Sequence, residues 1–144
     1  AQLGVEQVLR QGNRHELFLQ GDLGFYYHRH LRTAVYLTTQ FGYRWRAGRW
    51  HLSLAAGPGL SLAFATRPVY VFAEGTYRAG RNGGTLLFTP ALSLEAGYRI
   101  GKSSRAPELL LHYGLAVDTP FAILPLPHLL TGIGLRFTPF NRRP

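Results

Sequence analysis

The chain has 144 residues, no cysteine, no methionine and a formal charge of +9. The missing thiols exclude a disulfide scaffold and a thiolate metal site, and the length points to one domain over residues 1–144. The basic residues sit in short clusters between apolar stretches, with no basic stripe and no DNA- or RNA-binding motif, so no nucleic-acid partner is expected. No apolar run reaches the roughly 20 residues of a membrane-spanning helix. The Ala1-Gln2 start, with no charged leader, fits a mature chain after removal of an export signal, or a trimmed one.

Alternation with period two dominates, which is the signature of strands. In chain order it predicts strands over 3–9, 15–28, 33–45 and 50–65. Further strands follow over 69–78, 85–99, 108–118 and 128–137. Turn-forming clusters such as Arg46-Ala47-Gly48-Arg49 and Arg81-Asn82-Gly83-Gly84 separate them, so neighbours are expected to run antiparallel. Pro58 and Pro90 fall inside strands, but the face assignment runs through both unchanged. Local bulges at the two prolines are therefore preferred to a split into ten strands.

The stretch Trp50–Ala65 shows how the faces divide. Trp50, Leu52, Leu54, Leu60, Leu62 and Phe64 alternate with His51, Ser53, Ala55, Gly57, Gly59, Ser61 and Ala63. The bulky set over all eight segments would overfill an eight-stranded barrel, whose interior is just wide enough for side chains. The small set fits it, together with Asp22, Arg44, Glu74, Arg78, Glu95, Arg99, His112, Asp118 and Arg136. Six of the seven acidic residues (Glu6, Glu16, Asp22, Glu74, Glu95 and Asp118) have this inward parity. Carboxylates out of water need counter-charges, and the arginines on the same face supply them. The expected fold is all-β: a closed antiparallel up-and-down transmembrane β-barrel of eight strands, with its greasy face toward lipid. Tyr27, Tyr43, Trp45, Trp50, Phe64, Tyr77, Tyr98, Phe137 and Phe140 lie near strand ends, where interface rings belong.

With this pattern, the chain resembles the small bacterial outer-membrane β-barrels of the eight-stranded OmpA/OmpX-like class. The last strand, "LLTGIGLRFTPF", carries the most specific part of the likeness. Its Gly132, Leu135 and Phe137 resemble the signal by which the barrel assembly machinery recognises its clients, although Asn141–Pro144 follow the aromatic end. The resemblance implies a bacterial outer-membrane location with both termini periplasmic. It places connections 10–14, 46–49, 79–84 and 119–127 outside, and 28–32, 66–68 and 100–107 in the periplasm.

The chemistry expected is modest. Side chains plug the lumen, so no open pore is expected, and no cofactor or metal is called for. His28 and His30 lie in a turn with Arg29 and Arg32, a solvated basic turn rather than a metal site. The leading expectation is a structural or accessory subunit of a larger outer-membrane complex, packed beside a larger outer-membrane barrel protein. The enzyme alternative is lipid A or phospholipid chemistry, for which His51 and Ser53 have a suggestive spacing but inward parity; His51 is placed to pair with Asp22 or Glu74. A third reading is lipopolysaccharide binding, with Arg10, Arg14, Arg46, Arg49 and Arg81 as phosphate contacts among the outer-membrane lipids.

Overall fold

The computed structural model describes residues 1–27, 32–65, 70–73, 76–79, 83–103, 106–119 and 126–138. Its first strands are β1 (Gln2–Gln11), β2 (His15–Tyr27), β3 (Arg32–Ala47), β4 (Trp50–Gly57) and β5 (Gly59–Ala65). A short pair follows, β6 (Tyr70–Ala73) and β7 (Thr76–Ala79). Then come β8 (Thr85–Phe88), β9 (Ala91–Arg99), β10 (Glu108–Asp118) and β11 (Leu126–Arg136). Nine of these form one antiparallel sheet, curled into an open half-barrel.

The prolines interrupt the wall without displacing it. Pairing of β4 and then β5 with β3 continues in a single register, from Phe41↔Ala56 to Thr38↔Gly59. On the other side, Gly57↔Ala91 is followed by Leu60↔Phe88, which sets Pro58 directly opposite Pro90. No residue is inserted at either proline, so the expected bulges are absent. Each ring removes one ladder donor, while its carbonyl still accepts from a neighbour: Thr39 N–H to Pro58 at 2.9 Å and Val117 N–H to Pro90 at 3.0 Å. The described ladder does shift in β1, between Val8 and Arg10.

Taking β4–β5 as one stave and β8–β9 as another, the sheet has seven staves among the described residues. The predicted strand 69–78 is not one of them. Its halves fold on each other as the β6–β7 hairpin, with Tyr70↔Ala79 and Ala73↔Thr76, and form a separate two-stranded sheet. Four-residue arms are too short to cross a bilayer, which takes about nine to eleven residues.

An odd number of staves changes which connections share an end. Residues 12–14, 48–49 and 100–107 join strands at one end, here the short-turn end, where Gly48 at φ 64° makes the tight β3–β4 reversal. The connections after β2, β5 and β10 lie at the other, the long-loop end. β9 thus ends, and β10 starts, at the end that holds residues 48–49 rather than opposite it, while the end of β5, the start of β8 and the end of β10 lie at the end where β2 stops. β1 starts at the long-loop end and β11 finishes at the short-turn end, so the two do not bring both termini to one side.

The division of faces follows the alternation. Leu19, Leu23, Leu37, Phe41, Leu52, Leu54, Leu92, Leu94 and Leu111 point outward and are exposed, while Ala34, Ala55, Ala63 and Ala116 are buried within. Glycines make room for the larger inward groups beside them. A Cβ at Gly24 would overlap the Tyr36 ring, at Gly42 the Phe18 ring, at Gly97 the His51 ring, and at Gly4 the Asp22 carboxylate. In each case the glycine stands directly opposite the large residue on the next strand.

Candidate functional site

The candidate site is the inner face of the half-barrel, whose polar groups gather in two clusters. At the short-turn end, inward positions of all seven staves meet. Glu6 comes from β1, Glu16 from β2, Arg44 and Arg46 from β3, His51 from β4, Glu95 and Arg99 from β9, Glu108 from β10 and Arg136 from β11. Arg44 is fully buried; it bonds Glu6 and reaches Glu16 at 3.2 Å. Its guanidinium lies 4.5 Å from the centre of the Phe18 ring, a cation–π contact in a dry setting. Arg136 reaches Glu95 at 2.7 Å and Glu6 at 3.2 Å. Arg46 reaches Glu16 at 2.8 Å and Glu108 at 2.9 Å, and Arg99 reaches Glu108 at 3.0 Å. Among the described residues, four carboxylates of this cluster face four guanidiniums. Buried charge is tolerated only when paired in this way.

The second cluster, at the long-loop end, converges on Asp118. Its carboxylate is paired with Arg32 and lies 2.8 Å from His128 Nε2. It accepts from Thr89 at 2.6 Å, Ser61 at 3.2 Å and Tyr26 at 3.3 Å. Between the clusters, Ser93 donates to Gln40 at 2.6 Å, and Gln20 holds both oxygens of Asp22 at 2.9 Å. A cavity of about 20 Å³, room for a water or two, lies here against Tyr36, Gln40, Ser93 and His112.

Several expected residues come together and others part. Arg44, Glu95, Arg99 and Arg136 join the first cluster, and Asp118 anchors the second. His112 lines the cavity, and Asp22 stands apart from both clusters. Glu74 and Arg81 lie outside the described residues, as do His28, Arg29 and His30; Arg78 belongs to β7. Arg46, expected at the outer surface, turns inward to Glu16 and Glu108 because it shares the parity of Arg44. Arg10, Arg14 and Arg49 are exposed at the short-turn end. His51 lies 3.3 Å from Glu95, not beside Asp22, and Ser53 Oγ accepts from Arg44 Nε at 2.9 Å. Both members of the suggested catalytic pair are thus buried and engaged in the charge network. Gly132 and Leu135 lie in the edge strand β11, and Phe137 follows it, exposed.

Sequence reading passed over Glu108, His128 and Phe18, and it placed Arg32 in a solvated turn, whereas Arg32 opens β3, is buried and pairs with Asp118. Glu108 opens β10 with the parity of His112 and Asp118, a signal that was present. Among the described residues no group of three metal-ligating side chains converges. Compared with protein-family models, with curated proteins and with solved structures, the chain matches none.

Proposed function

We propose that the chain is an integral outer-membrane β-barrel protein, a structural or accessory subunit of a larger outer-membrane complex with a plugged lumen. The carrying observation is the inversion of polarity: leucines, tryptophans and phenylalanines cover the outside while Glu16, Asp22, Arg44, Glu108 and Asp118 are buried within. An apolar exterior on this scale is an aggregation hazard in water and a requirement in hydrocarbon. Closure to eight strands belongs to the same proposal, with the described staves supplying seven of them. The outward rings support it. Tyr43, Trp45, Trp50 and Phe137 lie toward one end, Phe25 and Tyr27 toward the other, as two interfacial belts would require.

Barrels of this kind carry short periplasmic turns and longer outer loops, which orients the short-turn end toward the periplasm. Arg10, Arg14 and Arg49 then meet anionic phospholipid headgroups of the inner leaflet. Lipopolysaccharide contacts fall to the long-loop end. β11, with one side open, is the strand presented to the assembly machinery.

Trp45 and Trp50 are the two tryptophans of the chain and both face outward near one end. In vesicles, lipids brominated near the headgroup should quench their emission more than lipids brominated at the chain end. A protein that stays monodisperse in plain buffer and is quenched by neither lipid overturns the reading.

A further inference from the structure

β1 and β11 are the two margins of the sheet, and both run from the long-loop end to the short-turn end. A strand between them would be antiparallel to both. The ladder geometry agrees. Ala1 and Phe25 exchange both of their backbone bonds, so Gln2 and Gly4 turn their amides to the open side. Val117 N–H donates to Pro90, so the alternate residues of β10 face β11, and Leu129, Thr131 and Ile133 turn theirs to the same opening. The outward side chains there are the barest on the wall: Val5 is 77% and Ile133 79% exposed, against 53% for Leu54 and 44% for Leu94 in the middle. Inward, Gly132 has nothing within 4 Å of where a Cβ would stand.

Charge completes the description of what is missing. Asp22 is 2% exposed, and Gln20 is its hydrogen-bond partner; among the described residues no cation pairs with it. Its carboxylate leans over Gly4, which has no side chain to stop it, toward the opening. In the short-turn cluster, by contrast, each carboxylate already has described guanidinium partners.

We infer that this seam binds one extended strand of a partner polypeptide, antiparallel to β1 and β11, with apolar residues outward. Its inward residues are small, except for one cationic side chain that pairs with Asp22. A spanning strand takes about nine to eleven residues, and among the described residues the strands outside the main sheet, β6 and β7, have four each. A second copy fits poorly. A twofold axis along the strands sets β11 beside β1 in the same direction, and one across them inverts one copy in the membrane. The inference rests on the barrel reading and gives the accessory role a physical form.

The test uses the chain folded in mild detergent and two ten-residue peptides, Leu-Gly-Leu-Ser-Leu-Lys-Leu-Ser-Leu-Gly and the same peptide with glutamate for lysine. Amide hydrogen exchange is followed over residues 2–8 and 127–135. The lysine peptide should slow exchange in both segments by about tenfold or more, and the glutamate peptide should leave both unchanged. Asp22→Asn should abolish the discrimination; if that variant does not fold, the contrast between peptides on the unaltered chain decides. Protection of one segment alone, equal action of the peptides, or protection of both segments without peptide, whether as monomer or dimer, overturns the inference. A chain that inserts into vesicles but ignores both peptides overturns the seam and keeps the barrel.

Discussion

The two ends of the lumen handle buried charge in opposite ways. At the short-turn end each carboxylate meets at least two cationic partners, and those partners are themselves shared: Glu6 has Arg44 and Arg136, Glu16 has Arg44 and Arg46. At the long-loop end one carboxylate among the described residues, Asp118, serves Arg32, His128, Ser61, Thr89 and Tyr26. The first arrangement is redundant and the second is a hub. Removing one group from a redundant network leaves its neighbours partnered, whereas removing a hub strands several donors in a low-dielectric interior, where an unpaired charge is costly.

Substitutions separate these designs. Asp118→Leu should be the most damaging, with a loss of about 3–5 kcal/mol read from the urea midpoint in detergent, because Arg32, His128, Thr89, Ser61 and Tyr26 all lose the one carboxylate they share. Gly42→Ala probes the packing of the redundant end: the added methyl drives into the Phe18 ring that covers Arg44, and overpacking of this kind costs about 1–3 kcal/mol. Glu6→Gln should cost only about 1 kcal/mol, since Arg44 keeps Glu16 and Arg136 keeps Glu95. If Glu6→Gln proves as harmful as Asp118→Leu, the contrast between network and hub fails. Smallest of all, Arg49→Gln should leave the unfolding midpoint unchanged and weaken association with anionic vesicles, an effect that added salt should mask.

How much of this was legible from sequence depends on what alternation encodes. Parity is a local property, and it sorted Trp50–Ala63 onto the faces observed and put Asp22, Arg44, Glu95, Asp118 and Arg136 on the inner face. Arg46 shows parity overruled by a cluster argument: grouping it with Arg49 as an outer basic patch ignored that it stands two residues from Arg44. The number of staves is not local. Residues 69–78 alternate well enough for a strand, and alternation cannot distinguish one crossing from a hairpin folded on itself. The useful sign in the sequence was the glycine at position 75; the described arms, Tyr70–Ala73 and Thr76–Ala79, are each too short to span. That single difference moved connection 100–107 to the other end. Pairings such as His51 with Glu95, or Asp118 with His128, join strands far apart in sequence and depend on register, which parity does not fix.

The facing prolines also bear on how the wall deforms. Pro58 gives no donor to Thr39 and Pro90 none to Val117, so the two losses fall on opposite flanks of one point midway up the sheet. Beside them Gly57 lets the Thr39 carbonyl approach its α-carbon more closely than any side chain would permit. Ladder bonds are what stiffen a sheet, so this is its crease. If the wall bends, the missing donors mark the line where it should give first.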